Sequence, residues 1–124
     1  LRQITAAESP WKEQLRAYIA YQLTWIEEHR EIHRLIYEIF DSQIPDMAPR
    51  IFERFREIQE RNIRFLAGVF ARANEEGQRF DPDLMSLMIL GSVQSIGDNW
   101  FLGLLSSRPT EYIDRILQLI LRED

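Results

Sequence analysis

Two histidines are the residues of this chain best suited to bind a metal. His29 and His33 are four positions apart, a spacing that lets two imidazoles on one helix reach the same ion. Glu31 lies between them, but the order differs from the His-Glu-x-x-His of zinc proteases. No third ligand is apparent, and a helix boundary is expected between the two histidines. We therefore predict no metal site, and no cofactor motif is present.

Other catalytic chemistry has little support in the sequence. The chain has no cysteine, which excludes disulfides, thiolate metal sites and a cysteine nucleophile. It also has no glycine-rich phosphate loop and no motif that pairs a serine with a histidine and an acid. We expect a protein that is not an enzyme.

Amides within otherwise apolar helix stripes are better candidates for a binding function. Gln22, Gln59 and Asn62 occupy such positions, and a buried amide without a partner costs roughly 1–3 kcal/mol. They either bond to each other or to the backbone in the core, or orient a ligand in a mainly apolar pocket. The aromatic residues able to line that pocket, each of which can equally be ordinary core, are Trp11, Tyr18, Trp25, Phe55, Phe65 and Phe70.

A second polar group, Ser95, Asp98 and Asn99, lies in an apolar helix near the C-terminus. A carboxylate on a buried face needs a partner. Asp98 could meet a ligand, form a hydrogen bond across a dimer, or be less buried than its surroundings suggest. All three interpretations remain open, and Asp98 joins the candidate ligand residues.

The elements that must position these residues are helices. Apolar residues at helical spacing predict helices over about 10–29, 49–76, 82–105 and 111–121, with a short helix after the first and no strand. Ser9-Pro10 and Asp81-Pro82 are typical helix starts. Gly77 is placed as a left-handed helix stop. The result is an all-α bundle of five to six helices in a single domain covering residues 1–124.

The last two predicted helices have more apolar surface than one subunit can cover. The helix over 82–105 is apolar on both sides, and such a helix must be covered all round. A second chain could cover the excess, so we predict a homodimer in which these helices form an intermolecular four-helix bundle. Gly91, Gly97 and Gly103 would permit close backbone approach. The predicted interface residues are Ile89, Val93, Ile96, Trp100, Leu104, Tyr112, Ile116, Leu119 and Ile120, although the opposite side, with Leu84, Leu87, Met88 and Leu102, is also apolar.

Charge and hydropathy limit the partners. The 15 basic and 20 acidic residues give a net charge of −5, which disfavours contact with nucleic acid phosphates. The apolar stretch from Leu84 to Leu105 contains Asp98, and a charge at the bilayer centre costs at least about 2.5 kcal/mol. We therefore expect no membrane span and, given the absence of cysteine, a cytoplasmic protein.

Three stretches of the sequence resemble the C-terminal domain of TetR-family transcriptional regulators. The first is LRAYIA at 15–20 leading to EHREIHRLI at 28–36, where Arg30 replaces the proline that often follows the histidine in the family. The second is NEEGQRFDPD at 74–83. The third combines residues 91–102 with EYIDRIL at 111–117.

This resemblance implies a bacterial regulator in which a helix-turn-helix domain would precede Leu1 and residues 1–8 would end a linker helix. DNA would be contacted only through that domain. The resemblance also implies an inducer pocket between the earlier helices, with candidate contacts Tyr18, Gln22, Trp25, Phe55, Gln59, Asn62, Phe65 and Asp98. We therefore expect an effector-sensing and dimerisation domain that binds a small hydrophobic or amphipathic molecule. The alternative is a stand-alone homodimeric protein-interaction module without a pocket.

Overall fold

The computed structural model describes residues 10–32, 34, 35, 38 and 48–121. Four α-helices occur in these residues: α1 (Trp11–Glu28), α2 (Ala48–Glu75), α3 (Pro82–Phe101) and α4 (Ile113–Leu121), with a 3-10 helix at Pro109–Tyr112. Residues 30–32, 34, 35 and 38 are also helical, and none of the described residues forms a strand. The all-α prediction is confirmed. Four predicted features lie outside the described residues: the linker over 1–8, the capping Ser9, His33 and the loop over 44–47.

The turn between α2 and α3 is fixed by local hydrogen bonds. Gly77 has a φ of +100°, the left-handed conformation that a glycine adopts without strain. The Asn74 side chain accepts a bond of 2.7 Å from the Phe80 N–H and donates one of 2.9 Å to the Phe80 carbonyl. Asp81 then caps α3 by accepting a bond of 3.2 Å from the Leu84 N–H. The predicted stop at Gly77 and start at Asp81-Pro82 are both confirmed.

Three helix boundaries differ from the predictions. Pro10 has extended backbone and precedes the first helical residue, so it is not itself inside α1. The helix predicted over 82–105 ends at Phe101, because Gly103 has a φ of +77° and the Leu104 N–H turns back to the Asn99 carbonyl at 2.9 Å. The closing α-helix begins at Ile113 rather than Glu111, after the 3-10 turn.

The hydrophobic core lies where α1 crosses α2 and α3. Leu15, Tyr18, Ile19 and Leu23 of α1 are completely buried. They pack with the second half of α2, around Leu66 and Phe70, with the inner face of α3, and with Leu117 of α4. Within the described residues, no helix combines the length and apolarity needed to cross a bilayer.

The end of α1 is attached to the C-terminal part of the chain. Glu27 accepts hydrogen bonds from both the N–H and the hydroxyl of Thr110, at 2.8 and 2.7 Å. Gly97 of α3 lies so close to α1 that a Cβ atom there would be 3.0 Å from Cδ1 of Ile26. The α1 helix, the 3-10 turn and α3 therefore form one connected unit.

Candidate functional site

The structure brings two candidate ligand residues, Tyr18 of α1 and Phe65 of α2, into contact in a seam between these helices. Two more, Gln22 of α1 and Asn62 of α2, lie one helical turn from them on the same helices. The Tyr18 and Phe65 rings are stacked with their centroids 5.4 Å apart. Asn62 is buried and lies one helical turn before Phe65 on the same side of α2. Thus an aromatic ring pair crosses the seam, and a buried amide lies one turn away on α2.

The Tyr18 hydroxyl is the unusual group of this α1–α2 seam. The side chain is completely buried, and among the described residues its oxygen has no hydrogen-bond partner. Burial raises the pKa of Tyr18 well above its ordinary value, because the phenolate would lose its hydration. The group is therefore a neutral phenol that keeps its proton and can donate a hydrogen bond to a molecule in the seam.

One end of the seam is closed by a polar pair that the sequence analysis missed. The Arg72 guanidinium of α2 donates a 2.8 Å hydrogen bond to the side-chain oxygen of Gln14, which is buried in α1. Gln14 is four residues before Tyr18, so its place on the inward side of α1 was a usable signal. The pair also shows that α1 and α2 are antiparallel, since Gln14 meets Arg72 whereas Tyr18 meets Phe65.

The other end of the seam is more open. Gln22, Trp25 and Phe55 are half-buried, whereas Gln59 is exposed. The indole of Trp25 stacks on the His29 ring at 4.4 Å. Gln59 was predicted to lie within an apolar stripe, but the other helices leave much of the first half of α2 uncovered, with Ile58 also exposed. Ligand contact by these residues stays a prediction.

Asp98 and His29 make local contacts. The half-buried Asp98 carboxylate accepts bonds of 3.3 and 3.4 Å from the Gln94 amide, one turn earlier in α3. Nδ1 of His29 lies 2.8 Å from the Trp25 carbonyl. Among the described residues, no group of three or more metal-binding side chains is found.

The two sides of α3 differ sharply in burial. An inner face formed by Ser86, Ile89, Val93 and Gly97 is buried against the same subunit. An outer face formed by Leu84, Leu87, Met88 and Gly91, continued by Leu102 after the helix end, is exposed. Ile89 and Val93 were predicted to contact a partner, but their side chains are covered by their own subunit. On α3, the large apolar side chains that remain well exposed lie on the outer face.

The remaining predicted interface residues have intermediate or high exposure. Ile96 and Trp100 of α3 are half-buried, as are Tyr112, Ile116 and Ile120. Leu119 of α4 is 79% exposed, the highest value among the large apolar residues in the described part of the chain. Leu104 is also well exposed, but it follows the end of α3 and does not continue a helical stripe. Leu119 therefore adds to the apolar surface of α4.

Comparison with known proteins identifies one family. The sequence matches the family described as tetracyclin repressor-like, C-terminal domain, over residues 8–123. Neither the curated proteins nor the solved structures contain a match. The family match extends over almost the whole chain and includes every helix described above.

Proposed function

The chain belongs to the tetracyclin repressor-like C-terminal domain family, and from that premise we propose that it senses a small hydrophobic or amphipathic effector and pairs with a second copy of itself. Domains of this family belong to transcriptional regulators rather than to enzymes. In the whole regulator, a separate helix-turn-helix domain would contact DNA. The acidic domain described here would control that DNA binding.

The observation that carries the proposal is the exposed apolar outer face of α3. Leu84, Leu87, Met88 and Leu102 are each more than half exposed, although an apolar surface of this kind gains free energy when it leaves water. Exposed contiguous apolar patches mark interaction sites in soluble proteins. A second copy is the occupant we propose, because a two-fold interface brings the same patch from each subunit together.

The candidate effector site is the α1–α2 seam, where a neutral hydroxyl and an amide are surrounded by aromatic and aliphatic side chains. Small-molecule sites combine a mainly apolar wall with a few placed polar groups in this manner. An effector can shift the dimer only if it binds one arrangement better than the other. A shift in the spacing of two DNA-binding domains would then matter, since half-sites are separated by about 34–36 Å per helical turn.

Two measurements test the proposal together. Analytical ultracentrifugation at micromolar concentration should give the mass of a dimer. Thermal denaturation with a panel of hydrophobic metabolites and drugs should give at least one compound that raises Tm, because a ligand that binds only the folded state stabilises it. A dimer that no compound stabilises would instead support the protein-interaction module, and a monomer would remove the basis for pairing.

A further inference from the structure

Among the described residues, the Tyr18 hydroxyl is the buried side-chain polar atom for which no hydrogen bond is found. It is completely buried, and no described residue supplies a hydrogen-bond partner. A buried polar group without a partner carries an energetic cost, so native structures rarely keep one without another role. Its ring is held firmly, because it stacks on Phe65. The hydroxyl is thus fixed in position, and no described residue uses its hydrogen-bonding capacity.

A second buried polar group lies on the same side of α2 as Phe65, the residue that stacks on Tyr18. Asn62 is 9% exposed and precedes Phe65 by one turn on the seam side of α2. Its amide offers both a donor and an acceptor. Gln22, one turn after Tyr18 on α1, is half-buried on the open side of the seam. A molecule that enters from that side would pass Gln22 before it reaches Tyr18.

The charge of the seam selects against an ionised ligand. Tyr18, Asn62 and Gln22 are all neutral, and burial raises the pKa of Tyr18 so that the phenol keeps its proton. The cation at the closed end, Arg72, already donates a hydrogen bond to Gln14. An ionised carboxylate in this place would lose its hydration without gaining a matching charge.

From these observations we propose that the effector is an uncharged molecule with an apolar body and a carbonyl-type acceptor, and that the Tyr18 hydroxyl donates the hydrogen bond that orients it. Asn62, one helical turn before Phe65, is the second polar group that we expect within reach of the ligand. This inference rests on the proposed effector-sensing function and narrows it to one chemical class and one anchoring atom.

The test uses three small probes that differ in one group. Acetophenone carries a carbonyl on an apolar body, isopropylbenzene has a similar shape without an acceptor, and benzoate adds a charge. Their Kd values are measured by ligand-observed NMR on the unmodified chain, on Tyr18→Phe, and on Tyr21→Phe. The last variant removes the same oxygen from an exposed tyrosine of α1 and serves as the matched control.

Loss of one hydrogen bond should weaken acetophenone binding to Tyr18→Phe by roughly 3–10-fold. Isopropylbenzene binding should not weaken in this variant, and Tyr21→Phe should leave both probes unchanged. Benzoate should bind the unmodified chain at least about 10-fold more weakly than acetophenone, because its charge would be buried without a partner. Without ligand, Tyr18→Phe should melt at the same temperature as the unmodified chain or higher, because the lost hydroxyl has no hydrogen-bond partner among the described residues.

Several results would overturn the assignment. Equal weakening of both neutral probes, or of neither, would show that the hydroxyl does not contact the ligand, and the effector-sensing proposal would survive without this anchor. Preferred binding of benzoate would point to Arg72 instead. A ligand-free Tyr18→Phe that melts at a lower temperature would mean that the hydroxyl has a structural partner. If none of the three probes binds, the Tyr18 hydroxyl does not bind a ligand of this class. If, in addition, no compound of the wider panel raises Tm, the effector-sensing proposal is also wrong.

Discussion

The two faces of α3 have similar residue types and opposite surroundings. On the inner face, Ile89 and Val93 are 1% and 6% exposed, whereas Leu87 and Met88 on the outer face are 57% and 56% exposed. The inner face packs on α1 and α2 of its own subunit, and we propose that the outer face packs on a second copy. The comparison teaches that apolar character identifies surfaces to be covered without identifying what covers them.

The largest effect should come from a charge on the inner face. Val93→Glu would bury a carboxylate without a partner and should lower the free energy of unfolding by about 3–5 kcal/mol, which is a large part of the stability of a domain of this size. Denaturant unfolding followed by helical circular dichroism would measure this loss as a lower midpoint concentration for Val93→Glu. If the variant stays well folded and only becomes monomeric, Val93 lies at the subunit interface as first predicted. The proposed distinction between the two faces would then be wrong.

The same charge on the outer face should divide the dimer and spare the subunit. Leu87→Glu would place two carboxylates at or near the proposed two-fold interface, so sedimentation should give a monomer while the helical circular dichroism is retained. The control is Tyr21→Glu, which places the same charge at an exposed aromatic residue of α1, away from the outer face of α3. This variant should remain a dimer. If Leu87→Glu keeps the mass of the unmodified protein, the outer face does not pair.

Two glycines of α3, one on each face, allow the same comparison with smaller changes in stability. A Cβ atom at Gly97, on the inner face, would lie 3.0 Å from Ile26. The larger side chain of Gly97→Leu must therefore push α1 and α3 apart and should cost about 1–3 kcal/mol of unfolding free energy. Chemical denaturation measures this cost, and a stability equal to that of the unmodified chain would mean that the α1–α3 contact adapts easily.

The smallest effect is expected at Gly91 on the outer face. A Cβ atom there would meet nothing within 4 Å in the subunit. Gly91→Ala should therefore stabilise the helix by about 0.5–1 kcal/mol through its better helix propensity. Measurement below the dimer dissociation constant isolates this gain. If the variant also dissociates more readily, the partner's backbone lies close to Gly91; unchanged dissociation would put the closest approach elsewhere.

Much of the helical framework could be predicted from local signals. Asp81-Pro82 and Gly77 fix the turn before α3 through capping and left-handed backbone, both of which depend on a few neighbouring residues. The end of α3 was misjudged because Gly103 was interpreted as a packing residue. Its φ of +77° makes it a helix stop, and helical spacing alone did not separate the two roles.

The candidate site was predicted less completely. Tyr18 and Phe65 were chosen from their stripes and do stack across the α1–α2 seam. Tyr18 was chosen for its ring, whereas only the structure shows that its hydroxyl has no hydrogen-bond partner among the described residues. Gln14 and Arg72 were overlooked because they bond across 58 positions of sequence. Gln59 has the same helical spacing as buried neighbours yet is exposed, since coverage by other helices varies along α2.

The sequence by itself determined that this chain is helical, where most of its helices start and stop, and that its last helices carry apolar residues beyond one ordinary stripe. These properties depend on backbone preferences and spacing within a few residues. Only the tertiary structure decided that Ile89 and Val93 face inward and Leu87 and Met88 face outward. A helix with apolar side chains on both sides has no preferred orientation of its own, and the packing of α1 and α2 selects the face that is buried.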